Sequence, residues 1–358
     1  MVNKLDIISS PHKHDGSTVS SVMLRVCLAL VPGILCYLWF FGIGIVIQCM
    51  LSIGFALIIE ALMLKLRHRS LRIYLHDGSA IVTALLFALM ITPFSPWWIS
   101  LTGVTFGLVF AKHLYGGLGY NPFNPAVTGY IFVLLCFPVL MNHWPLPTGL
   151  FNQSNNATYT LNKIFSSAVA IPSQSVDLSI DNTTVINDVN SLSGATPLTH
   201  MQTQIQSMEM ISEIKTDSMY GNFGGKGWEW ISFAFLLGGI GMIWMKIISW
   251  RIPVTVLGSL FLTSMVFNFY DADIYASPFF HLFSGGTMLC AFFIATDPVT
   301  ASTTPRGRII YGCIIGLTAY VIRVWGAFPD GIAFAVLIAN SLVPLIDRYT
   351  RLKVLGES

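Results

Sequence analysis

The chain has 358 residues, 54% of them hydrophobic and only 10% charged, with a net charge of +2 and a mean hydropathy of +0.68. Soluble domains carry about 25% charged residues, so water is not the main solvent of this chain. There is no basic cluster interleaved with aromatic residues, and nucleic acid is set aside as a partner.

A bilayer-spanning helix needs about 20 mostly apolar residues. The first such run, 22–42, is followed at once by a second at 44–64, with no small-residue cleavage site between them. It therefore reads as a spanning helix rather than a removed signal. Further runs follow at 78–94, 97–113 and 124–141, and some of the runs are short or Pro/Gly-interrupted. After a polar gap come 228–247, 252–269, 278–296, 308–326 and 330–346. The expected fold class is an all-α integral membrane protein of about ten transmembrane helices. Its layout is an N-terminal tail (1–21), a five-helix membrane half (22–141), a polar loop (142–227), a second five-helix half (228–346) and a C-terminal tail (347–358).

Lysine and arginine orient the helices. With both tails in the cytoplasm, fifteen of the nineteen fall on the cytoplasmic side. Only Lys163, Lys215, Lys226 and Arg323 fall on the other, so the loop 142–227 lies outside. An odd number of helices per half requires any repeat to be inverted. "DGSAIVTALLFALMITP" (77–93) echoes "SGGTMLCAFFIATDP" (284–298), while "NPFNPAVTG" (121–129) and "FPDGIAFAV" (328–336) open the last helix of each half. The expected architecture is two inverted five-helix repeats. The competing reading is that small residues, common at membrane helix contacts, make unrelated helices look alike.

Several stretches carry candidate chemistry. "GYNPFNPAVTGY" (119–130) must interrupt a helical hydrogen-bond ladder, and such a break in lipid has to be buried or line a polar cavity. It is either a half-helix end aimed at an ion or cofactor, or a kink. Asp297 in "TDPVTASTTPRGR" (296–308), Asp77, Glu60 and Lys112 are intramembrane candidates, all near enough to an interface to snorkel instead. "GNFGGKGWEW" (221–230) re-enters the membrane; its glycines admit a ring or a phosphate close to the backbone, and Trp228 and Trp230 read as interfacial belt. The six cysteines (Cys27, Cys36, Cys49, Cys136, Cys290 and Cys313) sit in apolar runs without a CxxC pair and read as small hydrophobes. The alternative is an iron–sulfur ligand set shared with a partner chain. In "SLSGATPLT" (191–199), Ser193, Gly194 and Ala195 offer little bulk, and Pro197 pushes Thr196 towards an extended backbone. That suits a polar turn, or a hydroxyl esterified to a phosphorylated carrier.

"SGATPLT", "GYNPFNPAVTGY", "ATDPVTASTTPRGRIIYG" and "FPDGIAFAVLIANSLVPLID", with "ISSPHKHDGSTVSSVMLRVCLALVPG" (8–33), resemble the D-subunit family of the Rnf ion-translocating electron-transport complexes. That family is related to the B subunit of the sodium-pumping NADH:quinone oxidoreductase. The resemblance spans nearly the whole chain and is weakest over 142–187. It implies FMN joined by a phosphoester to Thr196, installed from FAD by a flavin transferase on the periplasmic face of a bacterial inner membrane. It also implies the urea and ammonium channel fold, room for a non-covalent riboflavin, and a hetero-oligomer with the other Rnf subunits. Family members often have an acidic residue three before the serine; here that position is Asn190, with Asp188 nearby. The glycines Gly224 and Gly225 are the expected flavin contacts beside Ser193, Gly194, Ala195 and Thr196. On this reading the chain is an electron-carrying subunit rather than a complete enzyme, coupling electron flow to cation transport. The rivals are a redox-inactive channel or transporter and a structural membrane scaffold.

Overall fold

A computed structural model describes residues 18–147, 157–166, 195–328 and 330–351. Its helices run in chain order. The first half holds α1 (Val19–Phe41), α2 (Gly44–Leu66), α3 (Leu71–Leu75), α4 (Ser79–Met90) and α5 (Trp97–Phe106), which continues as π1 (Gly107–His113). Then come α6 (Pro125–Cys136), α7 (Pro138–Asn142), α8 (Ala157–Phe165), α9 (Pro197–Gln206) and α10 (Ile211–Ile214). The second half holds α11 (Trp228–Trp244), α12 (Arg251–Tyr270), α13 (Pro278–Phe283), α14 (Thr287–Leu289) with π2 (Cys290–Ile294), α15 (Pro305–Trp325) and α16 (Ile332–Thr350). Among the described residues no strand forms, only an isolated bridge between Tyr220 and Gly225.

Among the described residues five helices, α1, α2, α12, α15 and α16, are long and apolar enough to cross a membrane, and α4, α6 and α11 are shorter apolar helices. A helix of 23 residues such as α1 extends about 35 Å, enough for a hydrocarbon core of about 30 Å. The outward face fits that solvent. Leu24, Leu28, Val31 and Leu35 make an exposed apolar stripe along α1, at the three- and four-residue spacing that keeps side chains on one face.

Two expected spans are discontinuous. Residues 278–296 break between α13 and α14, where Ser284 is extended and Gly285 takes φ +64°, a conformation nearly reserved for glycine. Residues 124–141 divide at Phe137, because Pro138 lacks the N–H that would continue the α6 ladder. The start of α6 shows what "NPFNP" is for. Asn124 caps it, accepting from Ala126 N (3.0 Å) and Val127 N (3.3 Å), with Pro125 in the first turn where no N–H is needed.

Close helix crossings are made by small residues spaced by four. On α5 and π1, Gly103 and Gly107 face Phe87 and the Pro125 carbonyl; on α15, Gly312 and Gly316 face Thr255 and Ser259 of α12. Any side chain at these positions would overlap its neighbour, so the helices approach to backbone contact.

The cysteine reading holds for Cys49 and Cys290, which are buried, whereas Cys136 is exposed. An apolar thiol at that position costs nothing when the surrounding medium is hydrocarbon.

Candidate functional site

The helices leave a cavity at each end of the bundle. The same elements line both: α1, α4, α6 and π2 give one set of residues to the first cavity and another to the second.

Thr196 stands at the first. Its extended backbone (φ −64°, ψ 156°) makes it the N-cap of α9, with Pro197 in the first turn. The hydroxyl accepts from Thr199 N (3.2 Å) and lies 2.8 Å from the Thr199 hydroxyl. α9 is anchored from behind by Tyr220, whose hydroxyl meets His200 Nδ1 (2.9 Å) and donates to the Pro197 carbonyl (3.4 Å). Burial, and then the carboxylate of Asp217, push the Tyr220 hydroxyl well above the ordinary tyrosine range, so it remains a donor at any physiological pH.

Around Thr196 the cavity is aromatic on one side and polar on the other. Tyr37, Tyr130, Trp144 and Trp228 line it; the Trp144 and Trp228 rings pack edge to face at 4.9 Å, and Phe41 meets Trp228 at 5.3 Å. Trp228 is therefore not interfacial belt as the sequence had implied. It is buried at the start of α11, pinned by the end of α1, while Trp230 is exposed. The opposite wall is Gly285, Gly286 and Asp330. The enclosed part of this space is small, about 60 Å³, and it is continuous with open solvent. A narrower crevice continues past Thr196 between Ala195, Trp144, Pro145 and Lys226.

The expected glycine contacts are arranged differently. Gly225 presses on Pro197, and Gly224 lies against the Phe283 carbonyl and Ser284, and neither lines either space. Their loop is held by Glu229 Oε1, which accepts from Phe223 N (2.7 Å) and Gly224 N (2.6 Å). The loop thus props the start of α9 against the break between α13 and α14. Gly225→Val is expected to cost about 1–3 kcal/mol through overpacking on Pro197; thermal unfolding of the detergent-solubilised protein checks this, and an unchanged midpoint contradicts it. Ser193 and Gly194 lie outside the described residues.

At the other end, Glu60, Lys112 and His113 do not snorkel. Lys112 Nζ donates to Glu60 Oε1 (2.8 Å) and to Ser79 Oγ (2.9 Å), and His113 Nε2 lies 3.0 Å from Glu60 Oε2. The Glu60 and Lys112 side chains are 2% and 3% exposed. Ser79 in turn donates to Asp77 Oδ1 (2.7 Å). Lys112 and Ser79 line the second cavity with Asn121, Asn124 and Asp297. Asp297 accepts from Val299 N (3.2 Å), the Thr300 hydroxyl (3.1 Å) and Asn124 Nδ2 (3.4 Å), so it ties the two halves together as well as capping a turn. Among the described residues no cluster of three or more His, Cys, Asp or Glu is placed to hold a metal ion.

Reading the sequence passed over Asp330 and Arg323 as a pair, although both lay in view. Arg323 NH2 donates to Asp330 Oδ1 (3.1 Å) and to the Thr287 hydroxyl (2.8 Å), and NH1 donates to the His281 carbonyl (2.7 Å). No spacing rule links an arginine ending one helix to an aspartate seven residues on, in the turn before the next.

A bundle of apolar helices with lipid-facing side chains, broken segments and a cavity at each end is a multi-pass membrane protein. The chain belongs to the NQR2, RnfD, RnfE family, whose model matches residues 6–356. It is 45% identical over 351 residues to the D subunit of the ion-translocating oxidoreductase complex of Aliivibrio salmonicida, covering 98% of each chain. It is 45% identical over 352 residues to the protein of that name from Escherichia coli, again over 98% of each chain. The Vibrio cholerae counterpart is 44% identical over 353 residues, 98% of this chain and 99% of its own.

Proposed function

We propose that this protein is the D subunit of an ion-translocating oxidoreductase complex and carries FMN as a phosphoester on Thr196. The observation that carries the reading is the position of Thr196: an N-cap hydroxyl at the mouth of an aromatic cavity, with Lys226 in the adjoining crevice. A phosphoryl group there meets the positive end of α9 and a lysine cation, while the cavity offers Tyr37, Tyr130 and Trp228 to a flat ring. In maturation the Thr196 oxygen replaces AMP on the flavin-side phosphorus of FAD, the hydroxyl proton leaving with the displaced nucleotide. A bound flavin supplies exchange between one- and two-electron carriers. The protein's part is to orient the ring, keep bulk water off the aromatic wall and hold the cofactor where loss to solvent would not be made good.

Ten membrane passages in two inverted halves fit this function. In each half the second passage packs on the third and fourth, and the fourth on the fifth. Each half also has one cation–hydroxyl contact between its fourth and third passages: Lys112 to Ser79 in the first, Arg323 to Thr287 in the second. The charge distribution puts both tails in the cytoplasm and 142–227 in the periplasm of a bacterial inner membrane. The partners are the other subunits of the complex, a flavin transferase and membrane lipid.

Lys226 gives a direct test. If it offsets the phosphoester charge, Lys226→Glu slows covalent labelling by roughly fivefold, about 1 kcal/mol, the upper end for an exposed ion pair. The measurement is the time course of in-gel flavin fluorescence during incubation with FAD and the transferase. An unaltered time course removes Lys226 from the phosphate site.

A further inference from the structure

We propose that Asp330 sets the reduction potential of the ring held in the Thr196 cavity, holding it lower than a neutral residue would. This inference rests on the flavin reading above and adds to it a named electrostatic determinant.

Asp330 is the one charged residue among the described residues lining that cavity. Its carboxylate is fixed on both oxygens. Oδ1 receives Arg323 NH2 at 3.1 Å, and Oδ2 receives Gly286 N at 2.8 Å. Arg323 is itself held by the His281 carbonyl and the Thr287 hydroxyl. The pair is lopsided: the Arg323 side chain is 1% exposed and that of Asp330 33%. The cation stands behind the wall and the anion faces the space. Gly285 completes the mount, since a side chain there would come within 2.7 Å of Asp330 Oδ2 and 2.6 Å of Leu198 Cδ1.

Helix packing alone does not call for this carboxylate. The contacts Lys112–Ser79 and Arg323–Thr287 occupy equivalent places in the two halves, but their acidic partners do not. Glu60 comes from the middle of a half, on α2, and lies behind Lys112, which is the group that faces its cavity. Asp330 comes from the turn before α16 and faces the cavity itself. The second half thus presents the opposite member of its ion pair to the ligand space. A fixed anion beside a ring that gains electrons opposes the added negative charge, and the opposition is strong where water is scarce. It makes the reduced form harder to reach.

The test is a spectroscopic redox titration of the full chain, produced with a flavin transferase and purified from membranes. Asp330→Asn keeps the shape and the acceptor for Gly286 N while removing the charge. The expected result is a rise in midpoint potential equal to about a tenfold shift in the one-electron reduction equilibrium, ~59 mV. Asn142 lines the same cavity from its exposed rim, and Asn142→Asp adds a second anion without disturbing the Arg323 pair. Its midpoint is expected to fall, and this variant decides the matter alone if Asp330→Asn does not fold. Fluorescent, covalently labelled variants whose midpoints equal that of the parent overturn the inference while leaving the flavin reading intact. Absence of covalent flavin from the parent chain overturns both.

Discussion

Thr196→Val eliminates the fluorescent flavin band on a denaturing gel, while Thr196→Ser retains it. Valine matches threonine in shape but has a methyl group where the nucleophilic oxygen stands, so no phosphoester forms. The loss is complete rather than graded, because no amount of binding replaces the missing bond after denaturation. Valine also forfeits the cap on Thr199 N, worth about 0.5–2 kcal/mol, which weakens the start of α9 without unfolding a bundle whose core lies elsewhere. Thr199 makes the experiment sharper, since its hydroxyl lies 2.8 Å from that of Thr196. A band that survives Thr196→Val and disappears in Thr199→Val would move the attachment point by one helical turn.

The second large effect is on stability. Glu60→Ala strands the Lys112 ammonium, 3% exposed, with the Ser79 hydroxyl left to it in place of a carboxylate at 2.8 Å. Breaking a buried pair from one side costs about 3–5 kcal/mol, and replacing both members by apolar residues of similar volume costs far less. Glu60→Ala should therefore unfold in detergent well below the parent, and Glu60→Leu combined with Lys112→Met should recover much of the loss. If the single variant matches the parent in a thermal unfolding assay, the ion pair does not hold α2 to π1.

Those residues also mark where sequence reading stops. Glu60 and Lys112 are 52 positions apart, and each sits near the end of its own apolar run, so a one-dimensional reading sends each to the nearest interface. Their pairing depends on π1, and the widening at Gly107 depends on how closely α6 approaches, which hydropathy does not encode. The runs themselves were legible because lipid demands long apolar helices with their backbone groups satisfied internally. The breaks at Gly285 and Pro138 were not legible in that way, since 278–296 and 124–141 each read as one run and hydropathy does not say which glycine or proline divides it. Gly224 and Gly225 illustrate the limit from the other side: glycine announces a close approach, but not whether the neighbour is a cofactor or, as found, Pro197 and Ser284. Asp330 lay inside a quoted motif, yet nothing in "FPDGIAFAV" separates a carboxylate that caps a turn from one that faces a cavity.

The attachment itself is open to direct chemical proof. The peptide spanning Thr196, released from the complex in native membranes and weighed by mass spectrometry, is expected to carry the mass of FMN less one water, with fragmentation assigning it to the Thr196 oxygen. The same peptide recovered bare from every preparation would contradict the account and leave a multi-pass scaffold or pore in its place.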